Sequence, residues 1–404
     1  MSRPLSPEST SLRPSPDDPT GPGGASPDGV EGLALIKPAV RAQAAYTLAA
    51  QPAPRKLNQN ESPYDLPAEL KGEILATVAD SPWQRYPEFA PAELLAGLAG
   101  HYGWVPDGVL VGNGSNELIQ ATLSVTLGAG DAVVAPTPTF SLYRLLTNVL
   151  GGRYCAVELG RDFAYDIGAI IEAAVRERAR VVVLNSPNNP TGSPLPADAV
   201  ARVLEETGAL VVCDEAYQEF GGPTAVPLLA TTSRLVVLRT FSKAFGMAGL
   251  RFGLALAHPA VAREIAKGKL PYNLNLVTLA AAAVALRHRG VLAERVREIA
   301  ATRERFVRRI TGLAGITVYP TAANFVLIRC KGVPARVVFT RLYQEHGILV
   351  RDVSSAPELA ECLRISVGTP EDMEAVAGAL EGMLGEGREG RERRERREGR
   401  EGDA

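Results

Sequence analysis

Apolar runs of three to five residues recur along the middle of the chain, each stopped by a polar or glycine-bearing turn. Val109-Leu-Val, Val181-Val-Val-Leu, Ala209-Leu-Val-Val-Cys and Leu235-Val-Val-Leu are continuous rather than alternating, which predicts strands covered on both faces. Between them lie helical stretches, so the region from about Asn60 to Ala280 predicts an α/β domain with a mostly parallel sheet between helices. Leu118-Ile-Gln-Ala-Thr-Leu reads as the opening of a helix after the first of these strands. An alanine-rich helix begins at Leu279, and an Arg/Glu-rich helix follows Gly290 and runs to about Ile310. Ile316-Thr-Val-Tyr, Phe325-Val-Leu-Ile-Arg and Leu363-Arg-Ile-Ser-Val predict a second, smaller α+β domain. The resulting division is 1–30 tail, 31–59 arm, 60–285 large domain, 286–385 small domain and 386–404 tail.

Chemistry collects where the apolar runs stop, the place where open α/β sheets bind ligands. Leu235-Val-Val-Leu-Arg-Thr-Phe-Ser-Lys243 ends in hydroxyls and a lysine, and Arg251 stands eight residues on. That set suits a Schiff base from Lys243 to a phosphorylated aldehyde, with Ser242 and Arg251 holding the phosphate. A lone lysine after a strand is ordinarily a surface residue; its neighbours reverse that reading. Asp214 ends another buried run, and a carboxylate there calls for a cation, such as a protonated pyridine nitrogen. Asn189 and Tyr217, in the turns after two strands, suit hydrogen bonds to a ring hydroxyl. Gly112-Asn-Gly114-Ser-Asn precedes a helix whose free N–H groups and dipole suit a phosphate.

These segments resemble the class II, fold-type I pyridoxal-phosphate aminotransferases, and within them the histidinol-phosphate branch, from about Val40 to Leu384. The motifs are Asn60-Glu-Ser-Pro, Arg85-Tyr-Pro-Glu88, Gly112-Asn-Gly-Ser, Ser186-Pro-Asn-Asn-Pro-Thr-Gly192, Asp214-Glu-Ala-Tyr217 and Arg239-Thr-Phe-Ser-Lys243. Ala323-Asn-Phe325, Gly347-Ile-Leu-Val-Arg-Asp352 and Cys362-Leu-Arg-Ile-Ser-Val-Gly-Thr369 complete the series. The resemblance implies a seven-stranded large domain, pyridoxal 5'-phosphate as cofactor, and a homodimer with shared active sites. It makes Lys243 the Schiff-base and proton-transfer lysine, Asp214 the pyridinium partner, and Asn189 and Tyr217 the residues at the ring oxygen. Ser242, Arg251, Gly114, Ser115 and Asn116 form the phosphate cup, and Phe140 stacks on the ring where the family often has tyrosine. Tyr86 matches the residue that reaches the neighbouring subunit's cofactor phosphate, and Tyr46 matches one that closes over substrate.

On the substrate side, Arg364 matches the arginine that binds an α-carboxylate, and Arg351 lies thirteen positions before it, as in the histidinol-phosphate branch. The implied reaction is amino-group exchange between histidinol phosphate and 2-oxoglutarate, giving imidazole-acetol phosphate and glutamate. The competing readings are an aromatic or broad-specificity aminotransferase, a threonine-phosphate decarboxylase, and a binder that retains the cofactor without turnover.

Composition narrows the partners. With 404 residues, 46% hydrophobic, 22% charged and a formal net charge of −2, the chain is large enough for two domains. That balance gives no reason to expect nucleic acid or an anionic membrane as partner. The four cysteines and four histidines are scattered without metal-ligand spacing, so no metal is expected. No apolar run is long enough to span a bilayer and the start lacks a signal-peptide core, so the expected location is the cytoplasm. The Pro/Ser/Gly-rich start is expected to be a disordered tail, and the Glu/Arg/Gly repeats of 386–401 a solvated one without function.

Overall fold

A computed structural model describes residues 31–45 and 51–384. Tyr46 and the two expected tails fall outside the described residues. The first compact unit shows a 3-10 turn, Glu31–Leu35, and a four-residue helix, Pro38–Arg41.

The second unit holds the strands β1 (Arg55–Lys56), β2 (Val109–Asn113), β3 (Ala132–Thr137), β4 (Arg153–Glu158) and β5 (Val181–Asn185). Then come β6 (Leu210–Asp214), β7 (Leu235–Thr240), β8 (Phe252–Ala257), β9 (Ile316–Val318) and β10 (Phe325–Cys330). The last are β11 (Ile348–Leu349), β12 (Arg351–Asp352) and β13 (Cys362–Ser366). Seven of them form the large sheet in the order β2-β8-β7-β6-β5-β3-β4. All run the same way except β8, which is antiparallel to both neighbours.

The continuous apolar runs have their physical reason here. Val182, Leu184, Val211 and Val237 face one hydrophobic core, while Val181, Val183, Val212 and Val236 face another on the opposite side of the sheet. Both faces are dry, so no alternation survives in the sequence. The polar residues emerge only where the strands leave the sheet.

The helix after β2 starts at Ser115, three residues before the apolar stretch that predicts it, with Gly114 at its N-cap in a left-handed conformation, φ +78°. The break between the helices Leu276–Arg287 and Arg289–Ile310 falls at His288, not Gly290, and turns the chain by 80°. Gly290 is inside the second helix because His288 takes the turn conformation and its backbone N–H closes the first helix on Val284.

Beyond that bend, β12-β13-β10-β9 form a four-stranded antiparallel sheet, and β1 pairs in parallel with β11. Among the described residues no single helix is long and apolar enough to cross a membrane.

Candidate active site

The carboxyl ends of β5, β6 and β7 and the start of the helix Ser115–Thr126 deliver most of the residues expected from the sequence. Lys243 lies three residues past β7, half-buried, and donates from Nζ to the Gln59 carbonyl at 2.9 Å. Its amine is pushed down to about 7, chiefly because burial disfavours the ammonium and secondarily because Arg364 is near. The Tyr217 ring centroid is 5.9 Å from that amine.

Asp214 closes β6 and is buried. One oxygen accepts from the Tyr143 hydroxyl at 2.7 Å and the other from the Ala216 N–H at 3.1 Å. Neither donor is a cation, and burial raises the carboxyl above its ordinary range while these two bonds pull the other way. A buried acid in that condition gains from a cation brought to it. A protonated ring nitrogen fits.

The phosphate end fits as well. A Cβ on Gly114 would collide with Arg251 Nη2, so only glycine lets the helix start and the guanidinium meet. Arg251 donates to Ser242 Oγ at 3.2 Å and to the Ala248 carbonyl at 3.1 Å. Gly253 of β8 passes directly under the helix start, where a Cβ would collide with the Ser115 backbone N. The Ser242 hydroxyl, the Arg251 guanidinium and the helix N-terminus at Gly114–Ser115 therefore converge on one small volume. Asn116 is on the exposed side of that first turn.

On the other side of Lys243, Arg364 of β13 is buried and donates to Asn189 Oδ1 and, at 2.8 Å, to the Asn58 carbonyl. It stands over the Phe325 ring at 5.4 Å. Arg351 of β12 is its direct cross-strand partner in the antiparallel register. Two arginines thus share one face of the small sheet. Among the described residues the Arg351 guanidinium has no hydrogen-bond or ion-pair partner, since Asp352 is engaged by the Ser354 N–H at 2.9 Å. Phe140 is half-buried and edge-on to Tyr143, with centroids 5.7 Å apart. Tyr86 is 79% exposed and stacks on Tyr272, with ring centroids 4.4 Å apart.

Several residues without an assigned role in the sequence hold these groups. Asn60, at φ +55°, donates its side-chain amide to the Tyr217 hydroxyl at 3.1 Å and its N–H to Ser366 Oγ at 2.8 Å. Asn324 donates to the Asn60 carbonyl at 3.1 Å, so three distant segments meet there. Asn185 donates to the Asp214 carbonyl and accepts from the Asn189 N–H, tying the turn after β5 to β6. Arg239 and Glu215, both buried, pair at 2.6 Å directly behind the ends of β6 and β7. Asn60 and Arg239 stand inside the family's motifs, which is their only signal in the sequence.

A lysine with a depressed pKa, a buried carboxyl suited to a cation and a cup of anion donors on a seven-stranded α/β sheet are the parts that a fold-type I aminotransferase requires. The chain belongs to the aminotransferase class I and II family, whose description matches residues 55–380. Over 350 residues it is 39% identical to the histidinol-phosphate aminotransferase of Chlorobaculum parvum, covering 86% of this chain and 98% of that one. The histidinol-phosphate aminotransferase of Thermoanaerobacter pseudethanolicus is 36% identical, with coverage of 87% and 99%. Among solved structures, the Sinorhizobium meliloti histidinol-phosphate aminotransferase in complex with pyridoxal-5'-phosphate is 28% identical, with a TM-score of 0.77 and coverage of 86% and 96%.

Proposed function

We propose that the chain exchanges an amino group between L-histidinol phosphate and 2-oxoglutarate, giving imidazole-acetol phosphate and L-glutamate, a reversible reaction that histidine synthesis runs in the opposite direction. Pyridoxal 5'-phosphate is the cofactor, supported by the fit of Asp214, Gly114, Ser242 and Arg251 and by the complex that the Sinorhizobium relative forms with it. The observation that carries the substrate reading is the opposed pair Arg351 and Arg364. Two like charges on one sheet face raise the energy of the pocket until an anion lies between them. Histidinol phosphate brings a phosphate that answers the pair, while glutamate brings an α-carboxylate that answers Arg364.

Bound pyridoxal phosphate supplies a carbonyl carbon that joins amines and a protonated ring that accepts the electron pair released at Cα. Lys243 provides the joining amine. Burial disfavours its ammonium form, so the free amine would be suited to take a proton from Cα and return it elsewhere. Asp214 would hold the ring nitrogen protonated, and Asn189 and Tyr217 would hydrogen-bond the ring oxygen. Because Arg364 also donates to Asn189, the anion-binding arginine and the ring contact are held as one unit. Phe140 would stack on the ring face. Ser242, Arg251 and the Gly114–Asn116 turn hold the phosphate against the pull of substrate exchange.

The same reading makes the protein a cytoplasmic homodimer. Tyr86, Trp83 and Phe89, more than two-thirds exposed each, form an apolar surface suited to burial against a second copy, with Tyr86 reaching the neighbour's phosphate cup. It assigns 60–285 to the cofactor domain and 286–385 to the small domain, in accord with the large sheet lying within 109–257 and the small one within 316–366. The test is a transamination assay with histidinol phosphate beside phenylalanine, tyrosine and threonine phosphate, with 2-oxoglutarate as acceptor. A kcat/KM preference for histidinol phosphate of about a hundredfold or more is expected. Comparable rates with phenylalanine would replace the reading with a general aromatic aminotransferase; carbon dioxide from threonine phosphate would make it a decarboxylase.

A further inference from the structure

Tyr143 has none of the roles described above. It is 1% exposed, sits in the first turn of the helix Leu142–Leu150, and donates its hydroxyl to Asp214 Oδ2 at 2.7 Å. No other side chain donates to that carboxylate among the described residues; its second oxygen is held by the backbone N–H of Ala216. The same tyrosine ring receives Phe140 edge-on at 89°. Three residues apart on one turn, Phe140 and Tyr143 thus join the stacking ring and the Asp214 carboxylate into a single rigid piece. Within the same helix, Thr147 donates to the Tyr143 carbonyl at 2.8 Å.

We propose that Tyr143 is a positioning residue that holds Asp214 as an oriented anion, and through it sets how strongly the cofactor ring withdraws electrons from the group joined to Lys243. The inference rests on the pyridoxal-phosphate reading above. Its physics is local. A carboxylate in a dry site is disfavoured as an ion, and a hydrogen bond from a neutral phenol restores part of the lost solvation. Among the described residues the other titratable groups that interact with Asp214 are Tyr165 and Cys213, and Tyr217 faces Tyr143 itself. Burial pushes the Tyr143 and Tyr165 phenols and the Cys213 thiol up, so these stay neutral over the working range and the Tyr143 hydroxyl remains a donor throughout. With the donor removed, the shared proton moves from ring nitrogen towards Asp214. The ring then withdraws less, and the proton affinity of the group joined to Lys243 rises.

The experiment is a pH titration of the visible absorbance of the cofactor-loaded enzyme, with the cofactor dissociation constant measured in parallel. Tyr143→Phe keeps the ring and removes only the hydroxyl. The expected result is an absorbance midpoint moved to higher pH and cofactor binding weakened ~10–150-fold, the range for a lost bond to a charged group. Replacement of Tyr143 by 3-fluorotyrosine keeps the fold and strengthens the donor, so its midpoint should move to lower pH. Opposite shifts cannot come from a packing role. If both proteins titrate like the wild type, or move in the same direction, the inference is overturned while the cofactor reading stands. If the wild type itself acquires no visible band with pyridoxal phosphate, the cofactor reading fails and this inference with it.

Discussion

Arg351→Gln tests the substrate assignment most directly. Arg351 and Arg364 are register partners on β12 and β13, and only Arg364 is tied to the protein, through Asn189 and the Asn58 carbonyl. Removing Arg351 therefore breaks no hydrogen bond among the described residues and deletes one of two opposed positive charges. Like charges directly opposite on a sheet cost of order 0.2–1 kcal/mol, so the variant should unfold at the same temperature or slightly above wild type. Catalysis should behave differently. A charge-assisted bond to a phosphate is worth about 1.5–3 kcal/mol, which predicts a ~10–150-fold fall in kcat/KM for histidinol phosphate. The half-reaction with glutamate, whose α-carboxylate pairs with Arg364, should change by less than ~3-fold. Stopped-flow half-reactions, read from the cofactor absorbance with each amine separately, measure the two numbers on one preparation. Equal losses in both half-reactions, or none in either, would refute the division of labour between the arginines.

Three further outcomes are expected. Lys243→Ala should abolish transamination and alter the visible band of bound cofactor together; normal turnover in that variant would sink the mechanism. In the cofactor-free protein the Lys243 amine titrates near 7 against 10.5 in the unfolded chain, so the unfolded state binds more protons between those values. Stability should rise with pH across that window, and the stability advantage of Lys243→Met at pH 7 should shrink by pH 9 in thermal melts; a pH-independent difference would contradict the burial of the amine. Arg239→Met should cost about 3–5 kcal/mol in urea unfolding, because Glu215 at 2.6 Å and Glu219 at 3.1 Å both lose their buried cation. A loss under about 1 kcal/mol would show that water replaces it.

Legibility follows the range of the interaction. The runs of β5, β6 and β7 are readable because burial on both faces leaves an unbroken apolar signature, and the residues ending them announce themselves by breaking it. Lys243, Asp214, Asn189, Ser242 and Arg251 stand out for that reason. The helix start at Ser115 is hidden because its first turn, Ser-Asn-Glu, carries no apolar periodicity and is held by the glycine conformation before it. Glycine is the usual local signal of a helix break and points to Gly290, whereas backbone bonds made at His288 decide where the break falls. Tyr143 resembles any helix-face aromatic, and nothing near it in sequence names a carboxylate 71 residues away.

By itself, then, the sequence determined the alternating α/β layout, the chemistry at the strand ends and the family they belong to, because these depend on short apolar runs and on residue types at fixed local spacing. Tertiary structure alone decided which of those residues meet. It set Asn60 against Tyr217 across 157 positions and Arg351 against Arg364 across two strands. It also lowered the Lys243 amine by surrounding it with protein rather than water. Partners and pKa values depend on strand register and on the exclusion of solvent, and both exist only once the distant segments have packed.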